Sequence, residues 1–283
     1  MITKYLRGFF IVLTICISII GLFGCSKNES SKQSSEIKTT DINKNKKSKD
    51  KNENGDIVKN DGDKPSENSI TRVKHVVVID AGHQQYPINE HESIGPGSSE
   101  TKPKLSSGTS GITTGINEYQ LTLDVSLKLK DEFNSRGYEV VMIRENNDCP
   151  LSNRERAEIA NKYDGVFLRI HANSDQNSST RGMLTLAPRA DNQFMTSENI
   201  NDSQRLSKNV LDSMALETGA KNRGVINTNS MTGINWCKIP VTIVEMGFMS
   251  NPEEDLLMQN NEYQQKIVKG IANGVDKFFD ESN

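Results

Sequence analysis

The sequence predicts an α/β fold, a three-layer sandwich in which a mostly parallel, twisted sheet carries helices on both faces. From residue 73 onward, short runs of β-branched residues alternate with longer segments whose apolar residues recur at helical spacing. This alternation favours a parallel sheet, because parallel strands need crossover connections and these are usually helices. The run Val76 to Ile79 contains no polar residue, as is typical of a strand that is buried on both faces.

Five segments have the composition of buried strands, and we expect them to form the sheet. The strand candidates are HVVVID (75–80), YEVVMIR (138–144), GVFLRI (165–170), GMLTLA (182–187) and VTIVEM (241–246).

Helical patterns lie between these strands. Residues 118–136 place apolar side chains four positions apart on one face, and Gly137 follows as a helix-ending residue. Ser152 and Glu155 form a capping box that opens a helix predicted to run through Asn161. Two further helical patterns cover 202–217 and 261–279.

Residues 84–117 fit neither pattern, because they are dense in Gly, Ser, Thr and Pro and show no periodicity. Loops of this length inside compact domains are usually functional or disordered. The segment joins His83 and Glu118, two candidate metal ligands, and we therefore expect it to flank or partly cover a cleft.

Residues 1–25 have the layout of a secretory signal. Lys4 and Arg7 precede an apolar core, and the final LFGC resembles a bacterial lipobox in which Cys25 is lipidated. A plain membrane anchor and an ordinary cleaved signal are the alternatives, but the apolar run is short for a full span, which takes roughly 20 residues. We expect a lipoprotein anchored to the outer face of the cytoplasmic membrane.

Residues 26–72 are rich in Lys, Asn, Ser, Asp and Glu and contain almost no large apolar side chains. Such a segment cannot bury enough surface to offset the entropy lost on ordering, so it predicts a disordered polar tether. The globular domain would then occupy residues 73–283, and no internal repeat is apparent in it.

Charge and cysteine content limit the partners. The chain has a net charge of −3, of which residues 1–72 carry +4, so residues 73–283 carry −7. An acidic domain disfavours nucleic acid as a partner. Cys149 and Cys237 could pair outside the cell, but no CxxC spacing indicates a thiolate metal site, and we expect two free structural cysteines.

Four side chains stand where a ligand of an open α/β sheet binds, beyond the carboxyl ends of the strands. His83 follows the first strand, His171 follows GVFLRI, and Glu245 ends VTIVE. Glu118 begins the first long helix. Two imidazoles and one carboxylate with an open fourth position form a catalytic zinc set, and a second carboxylate off the metal can act as a general base.

Each of these residues also has a simpler interpretation. A histidine at a strand exit is more often a hydrogen-bonded structural residue, and Glu118 alone could be a helix N-terminal residue favoured by the helix dipole. The intervals of 35, 53 and 74 residues match no compact metal motif. Glu245 is harder to explain structurally, because burying a carboxylate is costly.

Three blocks of sequence, IDAGH, FLRIHAN and PVTIVEMGFMSNPEE, resemble the signature blocks of the zinc-dependent N-acetylmuramoyl-L-alanine amidases, the type-3 amidase family. The resemblance spans residues 75–279 and preserves the family's order. It implies that His83, Glu118 and His171 bind Zn²⁺ and that Glu245 is catalytic. It further implies a peptidoglycan substrate, cleaved at the amide between the lactyl group of N-acetylmuramic acid and the L-alanine of the stem peptide.

Several positions depart from the family pattern. Gln84 and Gln85 replace glycines after the first histidine, and Arg169 stands where a small residue is frequent. These changes leave the metal set intact but affect the expected shape of the cleft mouth. Arg156 matches a family arginine, with a structural ion pair as its expected role, whereas Arg223 could contact substrate or be a solvated surface residue.

Two other functions remain open from the sequence. One is a tethered cell-wall-binding or solute-binding lipoprotein without turnover, which the signal and tether fit equally well. The other is a zinc peptidase that cuts within the stem peptide. The sequence also leaves open whether a protein activator is required.

Overall fold

The computed structural model describes residues 75–282. The signal predicted for 1–25, with its lipidated Cys25, and the whole tether predicted for 26–72 therefore lie outside the described residues. Among residues 75–282, no helix combines the length and apolar character needed to cross a membrane.

Strands and helices alternate along the chain. The strands are β1 (Val76–Ala81), β2 (Ile88–Ser93), β3 (Thr101–Leu105), β4 (Glu139–Met142), β5 (Gly165–Asn173), β6 (Met183–Pro188), β7 (Asn222–Thr228) and β8 (Val241–Phe248). The helices are α1 (Glu118–Ser135), α2 (Asn153–Ala160), α3 (Ser197–Thr218), α4 (Thr232–Asn235), α5 (Pro252–Met258) and α6 (Asn261–Asp280).

A six-stranded sheet, with strand order β4-β1-β5-β8-β6-β7, forms the middle layer. The first four strands in this order are parallel, whereas β6 runs antiparallel to β8 and β7 runs parallel to β6. The predicted mostly parallel sheet is confirmed. All five predicted strands are present, and β7 is an additional edge strand.

Helices cover both faces of this sheet, which confirms the three-layer sandwich. On one face α1, α3 and α6 bury Leu129, Val210 and Ile271 against the sheet; on the other, α2 and α4 bury Ala157 and Ile234. The α3 and α6 helices approach closely, because a Cβ atom at Gly274 would lie 2.4 Å from the Cα atom of Val210. Cys149 and Cys237 are free and buried, as expected.

Local sequence signals explain most helix boundaries. The capping box at α2 is confirmed, since the Ser152 side chain accepts from the Glu155 backbone N–H and the Glu155 side chain accepts from the Ser152 backbone N–H. Gly137 follows α1 with φ +88°. The α3 helix begins five residues before the predicted position 202, because the Thr196 hydroxyl caps it by accepting from the Asn199 backbone N–H.

Residues 84–117 contain regular structure that the sequence pattern did not predict, an antiparallel hairpin of β2 and β3. Both strands are short and largely polar, so they lack the apolar alternation that marks a buried strand. The hairpin is docked through the Trp236 Nε1–H, which donates to the Ser93 carbonyl over 2.9 Å, and the Lys102 ammonium, which donates to the Ser230 carbonyl over 2.8 Å.

Two strands extend further than predicted. His171 lies inside β5 rather than after it, because ladder pairing continues to Asn173, and β8 continues to Phe248, with Glu245 inside it as predicted. His171 and Glu245 are direct partners in this ladder. The continued pairing brings the two polar side chains together on adjacent strands.

Candidate metal centre and catalytic site

Three predicted ligands meet at the carboxyl end of β1 and β5. The Nε2 atom of His83 lies 3.1 Å from Oε1 of Glu118, and Nδ1 of His171 lies 3.2 Å from the same oxygen. The two ring nitrogens are 3.1 Å apart. Side chains that are separated by 35 and 53 residues in the sequence therefore form one group that could hold a metal ion.

The donor atoms suit a tetrahedral divalent ion. Ligands at about 2.0–2.2 Å from zinc are roughly 3.3–3.5 Å apart in tetrahedral geometry, close to the spacings observed here. His83 Nδ1 lies 3.0 Å from the Ser106 carbonyl oxygen, and an N–H that donates there leaves the Nε2 lone pair directed at the other two ligands. The segment 84–117 thus orients the first ligand.

The turn after β1 places His83 in an unusual backbone conformation. Its φ of 62° is the only positive value at a non-glycine residue within 75–282. Three successive carbonyl groups of this turn accept hydrogen bonds from buried guanidinium groups. Arg144 donates to Ala81 over 2.7 Å and to Gly82 over 2.9 Å, and Arg156 donates to His83 over 3.3 Å. These bonds stabilise the turn that aims the imidazole.

A buried carboxylate beneath this turn binds two arginines. Asp80 Oδ1 accepts from Arg156 over 2.7 Å, and Oδ2 accepts from Arg169 over 2.9 Å. Burial alone would raise the pKa of the Asp80 carboxyl group, but the two guanidinium charges lower it to about 2. The structural ion pair expected of Arg156 is confirmed. Arg169 is also committed to Asp80, and Gly233 gives it room, because a Cβ there would lie 1.9 Å from its Nη1.

The second ligand, Glu118, is held at both carboxylate oxygens. Oε1 accepts from the backbone N–H of Ala172 and Oε2 from that of Thr109, each over 3.0 Å. Gly108 lies directly against the site, since a Cβ there would be 2.6 Å from Glu118 Oε2 and 2.9 Å from His83 Cδ2. Burial would raise the Glu118 pKa, but the adjacent His171 and His83 rings hold it well below its usual range, so the carboxylate is charged at neutral pH.

The third ligand, His171, packs against the turn after β1. A Cβ at Gly82 would lie 2.5 Å from His171 Cε1, so this close approach requires glycine. Burial lowers the pKa of the His171 imidazole to about 4, which keeps the ring neutral at pH 7. Neutral imidazole is the form that binds metal.

Glu245 stands beside this group and has no structural partner. It pairs with His171 in the β5–β8 ladder, and paired residues of adjacent strands project from the same face of a sheet. Its Oε2 atom is buried and accepts no hydrogen bond from the residues that the structure describes. Burial, together with the nearby Glu118 charge, raises the pKa of Glu245 to about 8. A carboxyl group with a pKa near neutrality is suited to exchanging protons.

All four predicted site residues are therefore brought together, and sequence reasoning missed the residues that hold them. Ser106, Gly108 and Thr109 contact the ligands from the segment 84–117, and Arg144 holds the turn after β1. The sequence carried one usable signal for Arg144, a charged residue at the end of the apolar run YEVVMIR.

Comparisons with known proteins identify the family. Residues 77–277 match the N-acetylmuramoyl-L-alanine amidase family. The chain is 27% identical over 169 residues to the N-acetylmuramoyl-L-alanine amidase LytC of Bacillus subtilis, a match that covers 59% of this chain and 32% of LytC. It is 25% identical over 209 residues to the N-acetylmuramoyl-L-alanine amidase Rv3717 of Mycobacterium tuberculosis, which covers 72% of this chain and 86% of that protein.

Solved structures share the fold. The amidase Ami1 from Mycobacterium smegmatis superposes with a TM-score of 0.65 at 25% identity, covering 73% of this chain and 97% of Ami1. The catalytic domain of the amidase CwlV from Bacillus (Paenibacillus) polymyxa var. colistinus superposes with a TM-score of 0.57 at 27% identity, covering 73% of this chain and 98% of that domain. Sequence, fold and site geometry agree, and the chain belongs to the N-acetylmuramoyl-L-alanine amidase family.

Proposed function

We propose that this chain is a zinc-dependent amidase that hydrolyses the bond between the lactyl group of N-acetylmuramic acid and the L-alanine of the peptidoglycan stem peptide. The observation that carries the proposal is the convergence of His83, Glu118 and His171 beside Glu245, whose buried Oε2 atom accepts no hydrogen bond within residues 75–282. Membership of the amidase family supports the same reaction.

The three convergent side chains would hold the zinc ion. Bound there, zinc would polarise the carbonyl of the scissile amide and lower the pKa of an attacking water to about 7. Glu118 would contribute one negative charge, and imidazoles bind metal in their neutral form, so the three side chains would leave the ion a net positive charge.

Glu245 would carry the proton transfers. As a carboxylate it accepts a proton from the attacking water, whose oxygen forms a bond to the amide carbon. As a carboxylic acid it returns that proton to the leaving nitrogen when the C–N bond breaks. The products are the lactyl carboxylate and a stem peptide with a free N-terminal L-alanine, and Glu245 is regenerated.

Mass spectrometry of muropeptides from purified sacculi tests this assignment. The amidase releases intact stem peptides that begin with L-alanine and leaves glycan free of them. Peptides shortened at internal bonds would instead indicate a peptidase, and unaltered sacculi would indicate a binding protein without turnover. The binding protein is the weaker alternative, because binding alone gives no reason to bury a carboxyl group such as Glu245 next to three metal-ligating side chains.

We further propose that the chain is a lipoprotein on the outer face of the cytoplasmic membrane. The LFGC sequence ending at Cys25 and the polar residues 26–72 support this location. A tether of this composition would let the catalytic domain reach the wall from the membrane surface.

A further inference from the structure

Arg223 lies near the candidate site although it is distant from it in sequence. The β6 strand pairs with both neighbours at this end of the sheet, Met183 with Asn222 on β7 and Leu184 with Glu245 on β8. Arg223, the second residue of β7, therefore lies two strands away from Glu245. At roughly 4.8 Å between adjacent strands, the two backbone positions are about 10 Å apart.

Three contacts fix the Arg223 side chain. Its Nη1–H donates to the Arg181 carbonyl over 3.1 Å, and its guanidinium carbon lies 5.2 Å from the centre of the Phe248 ring. Gly182 leaves the space that the side chain occupies, since a Cβ there would lie 3.0 Å from Arg223 Cγ. A long surface side chain that is held in this way loses little entropy when it binds a ligand.

The Phe248 contact places this guanidinium at the end of the sheet that carries the site. Phe248 pairs with Asn173, which is two residues beyond His171 on β5. A register shift separates this pair from the His171–Glu245 pair, so the contact places the guanidinium near the carboxyl ends of β5 and β8, where His171 and Glu245 also lie.

The Arg223 charge has no acidic partner among residues 75–282, and the residue is exposed. The nearby Arg181 pairs with Glu253 over 3.4 Å. The Glu254 carboxylate is engaged by the backbone N–H groups of Gly182 and Phe248 and forms no ion pair with Arg223. The Nε and Nη2 atoms of Arg223 donate to no acceptor in the described part of the chain, and a guanidinium edge of this kind binds carboxylates in a bidentate manner.

We infer that Arg223 binds a carboxylate of the stem peptide, on the residue that follows the L-alanine. Two extended residues span roughly 7 Å, so a carboxylate side group on the second one can approach a side chain whose backbone lies about 10 Å from that of Glu245. The inference rests on the proposed function. Binding of this carboxylate by Arg223 would make the enzyme selective for acidic over amidated stem peptides.

Two synthetic muramoyl peptides test this selectivity with the full-length zinc-loaded chain. They are identical except that the acidic second residue carries its α-carboxyl group either free or as an amide. Arg223→Gln should lower kcat/KM on the free acid by roughly ten- to a hundred-fold, the loss expected for a charge-assisted hydrogen bond, and change kcat/KM on the amide less than about two-fold. Arg223→Lys should retain part of the preference for the free acid, because lysine keeps the positive charge but cannot make the bidentate hydrogen bond of a guanidinium.

Arg181→Gln is the matched control, because it removes a neighbouring guanidinium that already has a carboxylate partner and leaves the backbone carbonyl used by Arg223. It should keep the preference for the acid. Calorimetry with Glu245→Gln protein, with and without Arg223→Gln, should show the same selective loss in peptide affinity.

Equal losses on both peptides, or no loss on either, would overturn the inference while leaving the amidase assignment standing. Failure of the wild-type chain to cleave either peptide would contradict the proposed function, and the role of Arg223 in substrate recognition would fall with it.

Discussion

The Oε2 atom of Glu245 is buried and accepts no hydrogen bond within residues 75–282. Replacing Glu245 should therefore lower turnover without lowering the zinc content. Glu245→Gln keeps the size of the side chain but cannot accept the proton, so we expect turnover of peptidoglycan to fall by about a hundred-fold or more. Bound zinc, measured by elemental analysis, should be unchanged. Glu253→Gln, at an exposed carboxylate, is the control. Near-normal turnover in the Glu245→Gln protein would refute its role as general base.

Asp80 stabilises the turn that carries His83. Asp80→Asn removes the countercharge of two buried guanidinium groups, and the free energy of unfolding should fall by about 3–5 kcal/mol. Glu158→Gln breaks an exposed pair with Arg154 and should cost less than about 1 kcal/mol. Urea denaturation measures the free energy of unfolding of both variants. Equal losses would show that burial of the Asp80 ion pairs adds nothing to their contribution to stability.

Low pH should reduce the difference in unfolding free energy between the wild type and Asp80→Asn. The folded-state pKa of Asp80 is about 2, below its usual 3.8, so its contribution is complete above pH 4 and is lost as the pH falls toward 2. The gap in unfolding free energy between wild type and Asp80→Asn should therefore narrow over that interval. A gap that is constant from pH 5 to 2 would contradict the ion-pair explanation.

Among the elements, the segment 84–117 departs furthest from expectation, because it contains the β2–β3 hairpin, and it also contacts His83 and Glu118. Gly108→Ala would place a methyl group against Glu118 and His83, and we expect zinc affinity to fall by about ten- to a hundred-fold. Gly97→Ala is a matched control, since Gly97 also has positive φ but a Cβ there meets nothing within 4 Å. Competition with a chromogenic chelator measures the affinity, and equal values for the two variants would exclude a site-specific effect of Gly108.

The regular elements were predictable wherever one physical signal dominated. Apolar runs marked the five buried strands, and the capping box marked α2. The hairpin β2–β3 was not predictable, because its polar strands are stabilised by distant partners such as Trp236 and Ser230. The Asn251 cap followed by Pro252 at the start of α5 was a readable helix signal that sequence reasoning overlooked.

The candidate site was predictable to a similar degree. Strand topology fixes where the carboxyl ends of the strands meet, so His83 and His171 could be expected there from position alone. The residues that hold the ligands could not be found in this way. Arg144 and Gly108 act through contacts that exist only once the whole chain has folded.

For the whole molecule, the proposed lipobox anchor predicts that membrane attachment can be removed without loss of catalysis. Cys25→Ala should abolish incorporation of labelled fatty acid and release the protein from membranes, because the lipid-bearing thiol is absent. Activity on soluble muramoyl peptides should be unchanged, since the catalytic residues lie at positions 83–245. Membrane fractionation measures the first effect, and membrane association that persists in Cys25→Ala would contradict the proposed anchor.

Metal content is the most direct test of the account. Wild-type protein should bind one zinc ion per chain, lose amidase activity when the ion is removed by chelation, and regain it when one equivalent is returned. His171→Ala should lose both zinc and activity, whereas His91→Ala, which removes an exposed histidine bonded only to Thr101, should keep both. Full hydrolysis of the muramoyl–alanine bond by the metal-free protein would contradict the central claim.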